Sequence, residues 1–354
     1  MNPVEQVLAL VRPEILVLAP YSSARKESQG GRVWLDANEN PETPSARQPL
    51  LNRYPEPQPA ALIARLAELY GVAPAQALVT RGSDEGIDLL LRTFCRAGQD
   101  AILITPPTYG MYVVAAGIQG ARVATVPLVR GQNFALDADA VIRAVTPDVK
   151  IIFLCSPNNP TGGLLGRTEV LKLVRSFAGR AIVAVDEAYV DFAGVPSLAA
   201  EIATYPNLVV LRTLSKAFGL AGARVGTTLA NPAVIAVLQK VIAPYPVPAP
   251  VLQAALAALS PEGVAAARES VRLLVAERTR LLEALPRLTV VKRVWPSDAN
   301  YLLVEVSDAA RAMAAGRAAG VIWRDRSKDV SNTIRITVGT AAENDQTLEI
   351  LSRV

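Results

Sequence analysis

Short apolar runs rich in Val, Ile and Leu alternate with helical patterns between about residues 75 and 230. This alternation is typical of βαβ units and of a mainly parallel sheet. Four of the runs end abruptly in residues that can do chemistry, and these segments read AILITPPTYG, IIFLCSPNNPTG, AIVAVDEAY and NLVVLRTLSKAFGLAGAR. In parallel sheets, ligands bind outside the carboxyl ends of the strands. The pattern therefore predicts one crevice that collects side chains from all four strand ends.

The chain before this alternation is predicted to be an arm rather than a packed layer. Residues 2–11 predict a short helix, and the prolines between residues 31 and 60 favour an extended segment. The helical pattern AALIARLAELY follows and should end at Gly71. After the alternation, the segment IAPYPVPAP at 242–250 carries four prolines, which marks the passage out of the large domain.

The remaining chain is typical of a small α+β domain. A long helical pattern extends to about residue 286, and helices over 308–319 and 342–352 then alternate with the strands LTVVKRVW, NYLLVEV and TIRITVG. The predicted fold class is α/β. A large domain with a mainly parallel sheet spans residues 31–245, and a smaller α+β domain combines residues 1–30, which include the N-terminal arm, with residues 251–354.

Composition narrows the possible functions. The chain has 354 residues, is 51% hydrophobic and has a mean hydropathy of +0.27, which is globular. The 36 Lys and Arg residues are scattered among 32 Asp and Glu residues, so a nucleic-acid partner has weak support. There is no histidine, which excludes Ser-His-Asp triads and histidine metal sites, and no metal is predicted. No signal peptide or membrane span is evident, so a cytoplasmic protein without a membrane partner is expected.

Lys216 follows an apolar strand and Ser215. A lysine in this position usually extends its charge into solvent. If it lies in a pocket, burial and nearby cations lower its pKa, and it can form a Schiff base with an aldehyde. The hydroxyl of Ser215 and the planar guanidinium of Arg224 are both suited to bind phosphate.

Asp186 ends the apolar run AIVAVD. It is either a helix cap or surface acid, or the acidic partner of a pyridinium nitrogen. Tyr189 and Asn159 could both donate hydrogen bonds to a phenolate oxygen of the same ring. The NNPTG segment is a turn, and the sequence does not fix the isomer of the peptide bond before Pro160.

Two further features have both a structural and a functional interpretation. The segment RGSDEG, residues 81–86, precedes a helical pattern. Ser83 or Asp84 could cap that helix, or the backbone amides of both residues could bind an anion with the help of Gly82 and the helix dipole. Tyr109, after TPP, could stack on a flat ring or belong to the core. The order of these features along successive strand ends argues that they act together.

The ordered series resembles the fold-type-I pyridoxal-phosphate aminotransferases, and within them the histidinol-phosphate aminotransferase family. The resemblance extends from Tyr21 to about residue 340 and rests on the motifs PYSSAR, RYPEPQ, RGSDEGIDLLLRTFC, PPTYGMY, CSPNNPTG, VDEAY, RTLSKAFGLAGAR, IAPYPVP and IRITVGT. It implies a large domain of that fold type, with pyridoxal 5'-phosphate as the cofactor.

The resemblance also implies residue roles. Lys216 would carry the cofactor and shuttle a proton, with Asp186 and Tyr189 as the other catalytic groups. The implied cofactor-binding residues are Ser83, Asp84, Tyr109, Asn159, Asp186, Tyr189, Ser215, Lys216, Arg224 and, from the other subunit, Tyr54. The implied substrate-binding residues are Tyr21, Arg324 and Arg335, and Arg326 is close enough to Arg324 to be an alternative. Without the resemblance, a lone arginine in an alternating strand such as that of Arg335 is usually a solvated surface residue.

The implied reaction exchanges an amino group between histidinol phosphate with 2-oxoglutarate and imidazole-acetol phosphate with glutamate, a step of histidine biosynthesis. The implied partners are these small molecules and a second copy of the chain in a homodimer. An aromatic amino-acid aminotransferase and a phosphothreonine-type decarboxylase are alternatives on the same fold. A non-catalytic regulator would need a DNA-binding segment, for which the first 30 residues are too few.

Overall fold

The computed structural model describes residues 1–19, 36–42 and 51–354. Its main layer is a seven-stranded sheet in the order β1-β7-β6-β5-β4-β2-β3. The strands are β1 Ala77–Thr80, β2 Ala101–Ile104, β3 Arg122–Thr125, β4 Val149–Cys155, β5 Ile182–Asp186, β6 Leu208–Thr213 and β7 Gly226–Leu229. Among these seven strands, β7 alone runs in the opposite direction to the other six. The prediction of an α/β fold with a mainly parallel sheet is confirmed.

Helices cover both faces of this sheet. Its central strands are buried except at Lys150 near the start of β4, because helices exclude water from each side. Two hydrophobic clusters result, one on each face. The helices of this layer are α1 Pro3–Leu8, α2 Pro13–Leu16, α3 Ala60–Tyr70, α4 Ser83–Phe94, α5 Met111–Gln119, α6 Ala138–Ala144, α7 Arg167–Ser176, α8 Pro232–Val241 and α9 Ala249–Ala258.

A smaller antiparallel sheet follows in the order β10-β11-β9-β8. Its strands are β8 Val291–Val294, β9 Tyr301–Val306, β10 Arg324–Asp325 and β11 Thr333–Thr337, and its helices are α10 Pro261–Ala284, α11 Ala309–Ala318 and α12 Ala341–Ser352. Leu302, Trp323 and Ile334 belong to its own core. The two layers meet where the Tyr301 hydroxyl donates to the carbonyl oxygen of Asn158 at 2.8 Å.

Prolines shift several predicted helix boundaries. The single helix predicted over residues 2–11 is instead α1 followed by α2, which begins at Pro13. Arg12, the residue before it, adopts φ −54° and ψ 130°, away from helical values, as a residue preceding proline prefers. The long pattern after residue 250 likewise divides at Pro261 into α9 and α10. By contrast, α3 ends at Gly71 as predicted, with φ 66°.

The N-terminal residues pack on the large sheet layer. Val7 and Val11 are buried in the same cluster as Leu90 and Val234. The Arg12 guanidinium also donates to the carbonyl of Arg92 at 2.9 Å. Residues 1–19 therefore contact the helices of the large sheet, although the predicted division placed residues 1–30 with the small domain. The domain limits at 31–245 and 251–354 stay a prediction.

Candidate active site

The carboxyl ends of the large sheet and one face of the small sheet enclose a cavity of about 470 Å³. The residues predicted for the cofactor that line it are Ser83, Asp84, Tyr109, Asn159, Asp186, Tyr189, Ser215, Lys216 and Arg224. Both predicted substrate arginines, Arg324 and Arg335, line it from the small sheet. The parallel order of β2, β4, β5 and β6 explains this gathering, because their carboxyl ends meet at one edge.

Asp186 lies at the floor of the cavity and is 2% exposed. One carboxylate oxygen, Oδ2, accepts the Tyr112 hydroxyl at 3.0 Å, and the other, Oδ1, accepts the Ala188 amide at 3.1 Å. Burial raises the pKa of Asp186 to about 6, while these two donors act in the opposite direction. The helix-cap and surface-acid interpretations are wrong, because the carboxylate is buried and faces the cavity.

Lys216 follows β6 and lines the same cavity. Its ammonium nitrogen lies 5.7 Å from the ring centre of Tyr189. The surrounding protein removes part of its hydration, and this desolvation lowers the Lys216 pKa, with Arg335 adding to the effect. A larger fraction of neutral amine follows, which is the form that attacks carbonyl carbon.

A cradle for an anion forms where α4 begins. Gly82 precedes Ser83 with φ 76° and ψ 170°, and no side chain among the described residues caps the first turn. The alternative that Ser83 or Asp84 caps this helix is therefore wrong. Arg224 lies alongside and donates to Asp84 Oδ2 at 3.1 Å and to Ser215 Oγ at 3.5 Å. Free amides, a hydroxyl and a guanidinium together are suited to bind phosphate.

The backbone at this cradle is closely packed. A Cβ atom on Gly226 would lie 2.3 Å from the carbonyl carbon of Gly82. Only glycine therefore allows β7 to approach the start of α4. Thr213 adds a further constraint, because its Oγ1 accepts the Ser215 amide at 3.1 Å and donates to Ser215 Oγ at 2.9 Å.

The opposite side of the cavity presents an amide and a phenol. Asn159 Nδ2 donates to the Tyr189 hydroxyl at 3.5 Å, and Arg335 Nη1 donates to Asn159 Oδ1 at 2.6 Å. The bond between Asn159 and Pro160 is cis, which answers the question of its isomer that the sequence left open. Tyr109 donates from its hydroxyl to Asp84 Oδ1 at 3.0 Å.

Three arginines of the small sheet share one face. Arg324 on β10 is the direct register partner of Arg335 on β11. Arg326 lies just beyond β10, but its amide continues the pairing by donating to the Thr333 carbonyl at 2.9 Å, and side chains two apart in such an extended segment point the same way. All three line the cavity, so the structure does not select between Arg324 and Arg326. Burial lowers the Arg326 pKa, and the other two arginines contribute to that lowering.

The structure describes only one of the two tyrosines predicted from the N-terminal arm. Tyr21 lies outside the described residues. Tyr54 stacks on Tyr245 with ring centres 4.5 Å apart, and the described residues that line the cavity do not include it. It borders a separate surface cavity together with Asn38 and Pro248.

The sequence interpretation missed Tyr112, Thr213 and Cys155 near the floor of the cavity. Tyr112 occurs three residues after Tyr109 in TYGMY, and this helical spacing is its one signal in the sequence. Thr213 and Cys155 end their strands, but neither residue type marks a site by itself. In the described ranges, the chain has no cluster of metal-ligating side chains and no helix long and apolar enough to cross a membrane.

A family model described as aminotransferase class I and II matches residues 27–351. The chain therefore belongs to the class I and II aminotransferases, and the predicted resemblance to that family is confirmed. A curated histidinol-phosphate aminotransferase of Stenotrophomonas maltophilia is 48% identical over 99% of this chain and 97% of its own length. A curated histidinol-phosphate aminotransferase of Escherichia coli O9:H4 is 46% identical over 97% of this chain and 96% of its own length.

Solved structures show the same fold. The histidinol-phosphate aminotransferase of Sinorhizobium meliloti, solved in complex with pyridoxal-5'-phosphate, superposes with a TM-score of 0.77. It is 25% identical and covers 85% of this chain and 82% of that one.

Proposed function

We propose that the protein transfers an amino group between histidinol phosphate and 2-oxoglutarate, giving imidazole-acetol phosphate and glutamate, with pyridoxal 5'-phosphate as cofactor. The observation that carries this proposal is one cavity that combines Lys216, the buried Asp186 and an anion cradle with three arginines on the facing sheet. The near full-length similarity to histidinol-phosphate aminotransferases supports the same substrate. A cytoplasmic location and a role in histidine biosynthesis are parts of the proposal.

The residues present fit the proposed cofactor. The uncapped start of α4, with Ser215 and Arg224, would hold its phosphate. Each Asp186 oxygen accepts one protein donor, which leaves lone pairs for a protonated ring nitrogen. Asn159 and Tyr189 would hold the ring oxygen, and Tyr109 would lie against the ring face.

Once bound, this cofactor supplies an electron-withdrawing ring that stabilises negative charge on the substrate carbon. The residues of the chain then supply protons and orientation. The Lys216 amine would move a proton between the substrate α-carbon and the cofactor, a task that its lowered pKa favours. Asp186 would keep a proton on the ring nitrogen, because its buried carboxylate faces the cavity.

The arginines would select the substrate. Every proposed substrate carries an anionic group away from the reacting carbon. This group is a phosphate in histidinol phosphate and imidazole-acetol phosphate, and a carboxylate in glutamate and 2-oxoglutarate. A guanidinium can bind either one with two parallel hydrogen bonds. Arg335 already offers one N–H to Asn159, which orients its planar group across the ring of Tyr301 at 5.1 Å.

Helix α5 supports the proposed homodimer. Tyr112, Ala115 and Ala116 are buried against the large sheet, yet Val113 is 47% and Ile118 is 74% exposed. A helix that is apolar on both faces usually has a partner on each. Because α5 begins beside the cavity, a second copy seated on this face would lie close to the site.

A substrate panel tests the proposal. Purified protein with 2-oxoglutarate should give a kcat/KM at least about tenfold higher for histidinol phosphate than for phenylalanine, since one charge-assisted hydrogen bond is worth that much. Phosphothreonine should release no carbon dioxide. Preferred turnover of phenylalanine, or decarboxylation of phosphothreonine, would replace the proposed reaction with one of those alternatives.

Two lysine variants control the panel. Lys216→Ala should lose transamination, and borohydride reduction of the unaltered enzyme should fix the cofactor on the peptide that contains Lys216. Lys172→Ala removes an exposed lysine paired with Asp139 and should behave like the unaltered enzyme. Label on Lys172 or Lys240 would contradict the assignment.

A further inference from the structure

Tyr112 is a buried titratable residue to which the proposed mechanism gives no role. It has 0% exposure, and its ring stacks on Phe153 with centres 4.8 Å apart and planes 8° apart. The Tyr109 ring packs against it in a T-shaped arrangement, with ring centres 5.6 Å apart and planes at 88°. The ring is therefore fixed from two sides, and so is the position of its hydroxyl group.

The hydroxyl of Tyr112 donates a hydrogen bond to the buried carboxylate of Asp186. It lies 3.0 Å from Asp186 Oδ2, and the Ala188 amide holds the other oxygen, Oδ1. Two donors from different elements, α5 and the segment after β5, thus set the plane of the carboxylate. A carboxylate held by one donor only could rotate about its last bond.

We propose that Tyr112 is a positioning residue that holds Asp186 ionised and oriented toward the cofactor ring nitrogen. This inference rests on the proposed function for the identity of that ring. Tyr112 itself touches neither substrate nor cofactor in this arrangement and acts through Asp186. The segment TYGMY would then place two tyrosines in the site, one against the ring face and one behind the acid.

Electrostatics at the cavity floor agree with this role. Burial raises the Asp186 pKa to about 6, and the Tyr112 hydrogen bond is the largest influence in the opposite direction. The other titratable groups that influence Asp186 or are influenced by it are Asp84, Tyr109, Cys155, Glu187, Tyr189, Lys216 and Tyr301. Asp84 and Glu187 raise the Asp186 pKa further. Without the phenol, Asp186 would hold its proton into the neutral range.

Tyr112→Phe removes one hydroxyl and keeps the stacked ring. The first measurement is the titration of the Asp186 carboxyl in cofactor-stripped protein. Carbon-13 NMR of labelled aspartate monitors this titration, and the Asp186→Asn variant assigns the Asp186 signal. The midpoint should rise by about one pH unit, the size of one charge-assisted hydrogen bond. An unchanged midpoint would overturn the proposal. Because no cofactor is present, this result is independent of whether the proposed function is correct.

The second measurement is cofactor binding. Pyridoxal phosphate titrated into stripped Tyr112→Phe protein should bind up to about tenfold more weakly below the original Asp186 midpoint of about 6. The loss should be about twofold near pH 7 and should vanish as the pH rises above the new midpoint. A loss of equal size at every pH would mean that Tyr112 only supports packing. In the loaded enzyme, kcat should fall while KM for the amino donor stays nearly constant.

Tyr301→Phe is the matched control. Tyr301 is also a buried phenol beside the cavity, but it donates to a neutral carbonyl, that of Asn158. Its loss should leave the Asp186 midpoint in place. If Tyr112→Phe does not fold, difluorotyrosine introduced at position 112 alone gives the converse test. Its more acidic hydroxyl should lower the Asp186 midpoint, and an unchanged midpoint would again overturn the proposal.

Discussion

At the scale of single residues, the three arginines of the small sheet offer more positive charge than a carboxylate substrate needs. Arg324, Arg326 and Arg335 share one face, and Asp329 pairs with Arg326 at 3.0 Å. Phosphate carries nearly twice the charge of a carboxylate at neutral pH. The arginines should therefore differ in which substrate they serve.

Arg335→Ala should weaken both histidinol phosphate and glutamate. Each loses a charge-assisted hydrogen bond of about 1.5–3 kcal/mol, which is roughly 10- to 150-fold in kcat/KM. Arg326→Gln should reduce kcat/KM for histidinol phosphate more than for glutamate, because the third cation matters most for a dianion. Steady-state kinetics with both substrates and with phenylalanine measure the difference.

The control for these variants is Arg272→Gln, which changes an exposed arginine paired with Glu269 on α10. It should leave all three substrates unaffected. If Arg335→Ala lowers phenylalanine turnover as much as that of the charged substrates, Arg335 supports the fold rather than selecting the anion.

Residues that act directly at a strand end were visible in the sequence, whereas those that act through a neighbour were not. Lys216, Asp186 and Asn159 stand at the ends of apolar runs, and the parallel sheet brings them together. Tyr112 and Thr213 have ordinary residue types in ordinary positions. Tyr112 matters through a hydrogen bond to Asp186, which is distant in the sequence, and Thr213 through hydrogen bonds to Ser215 that depend on the turn after β6. A linear pattern encodes neither contact.

At the scale of elements, the beginning of α4 and the strand β7 form one unit. Gly82 has φ 76° and ψ 170°, a region that is essentially restricted to glycine. A Cβ there would lie 2.6 Å from Arg224 Nη2. The same position thus shapes the first turn of α4 and leaves room for the guanidinium.

Gly82→Ala should therefore damage the anion cradle as well as the backbone. The strain costs about 1–3 kcal/mol of folding free energy. Displacement of Arg224 should also reduce affinity for pyridoxal phosphate by about tenfold, the equivalent of one charge-assisted hydrogen bond. Denaturant unfolding measures the first effect, and titration of the cofactor into stripped protein measures the second.

Gly98→Ala separates the two effects. Gly98 has φ 69°, but a Cβ there would meet no atom within 4 Å. It should lose about 1–2 kcal/mol of stability from the left-handed backbone and keep its cofactor affinity. Equal losses of affinity in the two variants would show that general destabilisation, not the cradle, is responsible.

Helix and strand types were predictable, but their pairing was less so. The apolar runs and the proline at position 13 carry local information about where elements begin and end. The antiparallel direction of β7 depends on its pairing both with β6, the preceding strand, and with β1, which is distant in the sequence. The two-residue strand β10 is too short to leave a periodic pattern.

At the scale of the whole molecule, the exposed apolar face of α5 and the position of Tyr54 bear on one question. Tyr54 is 50% exposed and lies apart from the cavity of its own chain. The proposed homodimer would bring the Tyr54 of one subunit to the phosphate cradle of the other. A shared site of this kind can be separated from two independent sites by mixing subunits.

In the proposed site, Lys216→Ala subunits should be inactive and Tyr54→Ala subunits should be impaired. In a mixed dimer with shared sites, one site combines both lesions, and the other has an intact Lys216 and an intact Tyr54. Mixing under conditions that allow subunit exchange should therefore raise activity above both unmixed samples. With independent sites, every site keeps one lesion, so activity would only average the two samples. Exchange itself is checked by native mass spectrometry, and confirmed exchange without a gain in activity would show that Tyr54 serves its own subunit or none.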